Sequence, residues 1–179
     1  MNQIRQISEF SIYTALAFIF GYIESLIPLP VPFPGMKIGL ANLVMMITLY
    51  RKNFRYAFGI SMLRNLLNAI TFGSLFSLLY SLAGSVLSLI TMAGLKKVRR
   101  ARPKSEQIEK SAFSIVSVSA LGGIVHNMGQ LMVAAFLVGY SSIIWYLPVL
   151  YFCGLLTGIL IGMVSKQCLA RLPADPQNR

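Results

Sequence analysis

Apolar residues run along this chain in six stretches, separated by short segments that hold most of the charge. The stretches cover roughly Ile7 to Ile27, Ile38 to Tyr50, Phe54 to Phe72, Leu75 to Leu95, Ala112 to Val138 and Ile143 to Cys168. Crossing a hydrocarbon layer takes about 20 helical residues, and all but the second stretch reach that length. At about 1.5 Å per residue, the second spans only about 20 Å. It must begin deep in the membrane or share its crossing with the segment before it. The pattern predicts an all-α membrane protein: a bundle of six transmembrane helices with a short second helix.

The segment before that helix is unusual. Pro28, Pro30, Pro32 and Pro34 alternate with Leu29, Val31 and Phe33, and Gly35 follows. Proline lacks an N–H and fixes φ, so the run is not helical and favours polyproline II. Non-helical backbone at membrane depth survives only where protein buries it or where it lines a cavity. The run therefore reads as a lid over a pocket, with a plain interfacial connector as the alternative.

Composition agrees with the pattern. Of 179 residues, 56% are hydrophobic and 12% charged, and too few charges remain to cover a soluble fold. Mean hydropathy is +0.69. One domain, a single transmembrane domain over 1–179 with a basic loop at about 96–111, fits this length. The first apolar run is too long for a leader and lacks its exit pattern, so no cleavable signal is expected. Cys153 and Cys168 form no disulfide framework and are expected to pack.

The net charge of +11 invites a nucleic-acid reading, but its placement opposes one. Arg5 precedes the first helix. Arg51, Lys52 and Arg55 lie between the second and third. Lys96, Lys97, Arg99, Arg100, Arg102, Lys104 and Lys110 lie between the fourth and fifth, and Lys166, Arg171 and Arg179 close the chain. The three alternate loops carry only Lys37. Basic residues collect on the cytoplasmic side of membrane proteins, so both termini are expected there. The stretch from Lys96 to Lys104 would meet anionic headgroups or an acidic partner.

Small residues permit close helix approach in a membrane. Gly154, Gly158 and Gly162 form such a ridge on the sixth helix, and Ser77, Ser81 and Ser85 on the fourth. The first helix carries Ser11 with Ala15 and Ala17 with Gly21, and these four are the expected interface with a membrane partner. The other ridges are expected to pack internally.

Polar residues also sit inside the apolar stretches, where a charge costs about 2.5–3.5 kcal/mol on insertion scales. They are Glu24 on the first helix, Lys37 and Asn42 around the start of the second, Arg64, Asn65 and Asn68 on the third, and His126, Asn127 and Gln130 on the fifth. Arg64 and Asn68 share a face, as do His126 and Gln130. The spacing predicts one polar pocket in the outer half, beneath the proline run. Its ionisable groups lean positive, which suits a solute with a carboxylate, phosphate or carbonyl. The bland alternative is that these groups only join helices.

No G-x-x-x-x-G-K-[ST] loop is present. One histidine cannot build a zinc site. The acidic residues Glu9, Glu24, Glu106, Glu109 and Asp175 form no paired aspartate motif for Mg²⁺ and diphosphate. Neither enzymatic activity nor a cofactor is expected.

Several strings resemble a bacterial family named both heptaprenyl diphosphate synthase component I and Gx transporter. They are Pro34-Gly-Met-Lys-Ile-Gly-Leu-Ala-Asn42, Arg64 with its following amides, Gly-Gly-Ile-Val-His-Asn-Met-Gly-Gln ending at Gln130, and Tyr146-Leu-Pro148. The family is similar to the substrate-binding S components of energy-coupling factor (ECF) transporters. That resemblance implies six helices, a lid loop after the first, and a first helix facing a membrane partner. It implies uptake of a vitamin- or cofactor-precursor-like solute across the cytoplasmic membrane, energised by a separate T subunit and ATPases. On matching motifs it assigns the site to Lys37, Asn42, Arg64, His126, Asn127 and Gln130. The ridge on the first helix is looser than the paired alanines of many S components. The synthase name implies a membrane accessory of prenyl diphosphate or quinone synthesis, although the aspartate-rich motifs of that chemistry are absent.

Overall fold

The computed structural model describes residues 2–26, 39–72, 75–100, 113–138 and 144–172. The proline run, Lys37 and the basic segment from 101 to 112 lie outside the described residues. Within them the regular structure is helical throughout. The helices are α1 (Asn2–Leu26), α2 (Asn42–Arg51), α3 (Phe54–Phe72), α4 (Leu75–Arg100), α5 (Ile115–Val138) and α6 (Leu147–Arg171), with a 3₁₀ turn at Ile144–Tyr146 before α6.

Length and composition qualify three helices to cross a membrane: Leu75–Val98, Ile115–Leu137 and Leu147–Arg171. The six expected helices are present among the described residues, while the apolar criterion for a span is met by these three. The others fall short for physical reasons. Glu9 and Glu24 dilute α1, Arg55, Arg64, Asn65 and Asn68 dilute α3, and α2 has only ten residues.

Two helix ends differ from the apolar pattern. α2 begins at Asn42 rather than Ile38, because Gly39 has a φ of +94°, which a helix cannot continue through. The turn closes with Asn42 N–H donating to the Gly39 carbonyl at 2.8 Å. α4 continues through Lys96 and Lys97 to Arg100, past its apolar run. The start of the expected basic loop is therefore helix: long basic residues sustain a helix once it leaves an apolar layer.

Local caps explain the connections. Asn53 Oδ1 accepts from the Tyr56 N–H at 2.9 Å and starts α3. Ser114 Oγ accepts from Ser117 N–H at 3.1 Å and starts α5. Pro148 sits in the first turn of α6, where its missing N–H costs nothing.

α5 packs between α4 and α6, and α3 between α1 and α4. The short α2 touches α1, α3, α4 and α6, and Asn42, Val44, Met45, Met46, Ile47, Thr48 and Leu49 on it are buried. Its apolar face joins two clusters: Ala17, Val44, Met45 and Ile60 on one side, and Met46, Leu49, Ala57, Leu89, Met92 and Val118 on the other.

The glycine ridge of α6 packs internally against α5. A Cβ on Gly158 would meet the Ser119 carbonyl oxygen at 2.6 Å and Ala120 Cα at 2.7 Å, and one on Gly162 would meet Val116 Cα at 2.7 Å. Gly123 faces Gly154 across the same seam. Backbone meets backbone here, so only hydrogen fits. Cys168 is half-buried, and Cys153, expected from the sequence to pack, is exposed.

One end of the bundle is tied by charge. Glu9 pairs with Lys52 at 2.5 Å and with Arg5 at 3.2 Å, and Tyr56 Oη donates to the Gln6 carbonyl. Lys96 Nζ donates to the Leu49 carbonyl near the end of α2 and lies over the Tyr50 ring. These contacts join α1, α2, α3 and α4 at the end where the basic residues gather.

Candidate polar site between the helices

Away from that basic end, α1, α3, α4 and α5 bury their polar residues together. Arg64 is 4% exposed, Asn65 2%, Asn68 5%, His126 4%, Gln130 1% and Glu24 3%. Such burial of charged and amide side chains has to be compensated by hydrogen bonds.

The α3–α4 contact supplies some of them. Arg64 Nη2 donates to Asn65 Oδ1 at 2.7 Å and to Ser85 Oγ at 3.1 Å. Asn65 Nδ2 donates to Ser85 Oγ at 3.2 Å and to the Ser81 carbonyl at 3.4 Å. The serine ridge of α4 is therefore polar in use: Ser81 and Ser85 receive the guanidinium and amide of α3.

Gly84, beside Ser85, receives α5. A Cβ there would meet the His126 carbonyl at 2.8 Å and the His126 ring at 2.9 Å. α4 thus meets both Arg64 and His126, and Glu24, which acts on Arg64 and holds Gly39 beside His126, links the two. Gln130 Nε2 donates to His126 Nε2 at 2.7 Å, which puts the ring proton on Nδ1 in this arrangement.

The turn before α2 closes the group. Gly39 N–H donates to Glu24 Oε1, so the carboxylate on α1 holds the backbone entering α2. A Cβ on Gly39 would lie 2.9 Å from Asn42 Nδ2 and 3.8 Å from His126 Cδ2. Asn42 also lines a small cavity of mixed polarity with Ser88, Met92, Ser119, Thr157 and Ile161, with room for about one water. On the other flank, Gly21 of α1 lies directly against the Asn68 amide.

Not every expected residue joins this group. Asn127 points the other way, and its Nδ2 donates to the Leu150 carbonyl of α6 at 2.9 Å. It ties α5 to α6, because it sits one residue, about 100°, around the helix from His126. Lys37 lies outside the described residues. The first helix divides likewise. Ser11 and Ala15 are exposed, whereas Ala17 and Gly21 are buried among α2 and α3. The close approach that Ala17 and Gly21 permit is made within this chain. Ser85, Ser81, Gly84 and Gly39 belong to the site without having been singled out for it. Only the coincidence of a serine ridge with buried amides on the preceding helix pointed to them.

Several buried groups of α3 have unfilled hydrogen-bonding capacity, Ser61 Oγ among them. Arg64 Nε and Asn68 Oδ1 are buried and have no hydrogen-bond partner among the described residues. Arg64 makes no ion pair with another described residue. Arg64 is thus a buried cation whose hydrogen bonds go to neutral partners, with its buried Nε donor unused. Among the described residues no group of three His, Cys, Asp or Glu side chains could hold a metal.

No curated protein and no solved structure matches this chain. The family described as heptaprenyl diphosphate synthase component I does match, over residues 13–168. Those residues include Glu24, the Gly39 turn, the Arg64 cluster and the His126–Gln130 pair. The chain belongs to the heptaprenyl diphosphate synthase component I family.

Proposed function

We propose that the chain is the solute-binding membrane subunit of an ECF-type uptake transporter. It binds a small vitamin- or cofactor-precursor-like solute and does no chemistry on it. The carrying observation is that Glu24, Arg64, Asn65, Asn68, His126 and Gln130 of three helices are all buried, with Arg64 and Asn68 keeping unfilled hydrogen-bonding capacity. A purely structural polar core would satisfy its own groups, since an unmet buried group costs about 1–3 kcal/mol. Binding sites in bundles lie between helices and hold a few converging polar groups in apolar surroundings.

In this reading all six helices lie in the cytoplasmic membrane, with both termini inside, following the placement of basic residues. α2 is too short to cross alone and depends on its neighbours. Separate ATPases and a T subunit supply the energy, and the exposed Ser11–Ala15 face of α1 is the contact offered to that subunit. Native purification from the host's own membranes tests this, with identification of the associated subunits. Recovery of a membrane subunit with P-loop ATPases is expected.

The family's description favours a second reading, a membrane accessory of prenyl diphosphate or quinone synthesis. Recovery of a soluble prenyltransferase, and a change in its product length on adding this chain, would replace the transport reading with this one.

A further inference from the structure

Resting on that solute-binding reading, we infer that the site recognises an anionic group through Arg64. Ser85 and Asn65 act as positioning residues for the guanidinium, and Asn68 contacts a polar group beside the anion. Arginine offers only donors, in a rigid planar fork. Here Nη2 is taken by Asn65 Oδ1 and Ser85 Oγ, which fixes the plane of the fork. Nε remains buried and unfilled. Glu24 is near enough to act on Arg64 electrostatically but forms no ion pair with it. Its Oε1 instead accepts the Gly39 N–H. A carboxylate or phosphate oxygen is the acceptor that both fills the donor and balances the charge in a low-dielectric site.

Asn68 lies one turn further along the same face of α3, about 5–6 Å away between Cβ atoms. It is 5% exposed and makes no hydrogen bond to a described residue, and Gly21 backs its amide. An amide offers both donor and acceptor, so it meets a hydroxyl, amine or amide. The ligand class is a small carboxylate or phosphate compound with such a group within one helical turn of its charge. An anionic lipid headgroup presents the same chemistry.

The test uses the full-length protein in nanodiscs, equilibrated with a small-molecule extract of the expressing cells and washed. Bound molecules are separated into water-soluble and chloroform-soluble fractions and quantified by mass spectrometry. Wild type is compared with Arg64→Gln, Arg64→Lys, Ser85→Ala and Asn127→Leu, each checked for monodispersity. A water-soluble anion is expected, reduced at least about tenfold by Arg64→Gln, reduced by Arg64→Lys and Ser85→Ala, and unchanged by Asn127→Leu. Ser85→Ala keeps the test decisive if the Arg64 variants do not fold. An uncharged or cationic compound held equally by Arg64→Gln or Ser85→Ala overturns the anion assignment and leaves the solute reading standing. An anionic lipid lost on Arg64→Gln upholds the anion assignment and overturns the solute reading. No compound above empty nanodiscs overturns both.

Discussion

Two regions of the bundle use similar residues and end in opposite conditions. The α5–α6 seam is built from Gly123, Gly154, Gly158 and Gly162, with Asn127 as its amide, and that amide is satisfied by the Leu150 carbonyl. The α3–α4–α5 region is built around Gly84, Ser81 and Ser85, and on its flank the α3 amide of Asn68 lies against Gly21 of α1 with no described hydrogen-bond partner. Both place small residues at close helix contacts. In the seam the space released is filled mainly by backbone, whereas at Gly84 the His126 carbonyl and the His126 ring share it. At Gly84 a small residue thus admits a polar ring as well as a neighbouring backbone.

This contrast has measurable consequences, the largest in the seam. Gly158→Val would drive side-chain atoms into the Ser119 carbonyl and Ala120 backbone. Overpacking against backbone that cannot move costs about 3 kcal/mol or more, so loss of monodisperse protein or a large fall in Tm is expected. An unchanged Tm would mean that the seam is not closely packed.

Arg64→Gln divides stability from binding. Arg64 forms no ion pair, and relief of its buried charge offsets the lost attraction to Glu24, so Tm is expected to change little. Ligand retention falls at the same time by about 10- to 100-fold, corresponding to one hydrogen bond to a charged group. A drop in Tm together with unchanged retention would make Arg64 a structural tie.

The paired asparagines sharpen the comparison further. Asn127→Leu removes a satisfied tie and should cost about 1 kcal/mol of stability with no effect on retention. Asn68→Leu should be near neutral for stability and reduce retention. Thermal unfolding and retention measured on both variants would show this exchange of effects, and its reversal would interchange their roles. The smallest effect belongs to Glu9→Gln at the basic end. Its carboxylate is 28% exposed and pairs with Lys52 and Arg5, so about 0–1 kcal/mol is expected, shrinking further as salt is raised in the same unfolding assay.

Much of the fold was legible because helix length and apolar length nearly coincide. α3 matches its apolar stretch at both ends, and α5 at its C-terminal end. The mismatches have causes that hydropathy does not register. Asn2–Gln6 and Lys96–Arg100 remain helical although polar, and α2 is shortened by the backbone of Gly39. For the site, the residues matched by i,i+4 spacing, Arg64 with Asn68 and His126 with Gln130, are all buried, and Gln130 meets His126. It could not assign Asn127, because a neighbour in sequence lies about 100° away around the helix. Nor could it show that Ser85 and Gly84 meet Arg64 and His126, since the register between two helices is set by packing along their whole length.

The most direct measurement is an experimental density map of the purified full-length protein in lipid, read at Arg64 Nε and the Asn68 amide. A non-protein molecule within hydrogen-bonding distance of both, with Ser85 still on Nη2, is the expected result. A dry core in which Arg64 Nε and Asn68 are closed by protein groups, with nothing bound, would contradict it.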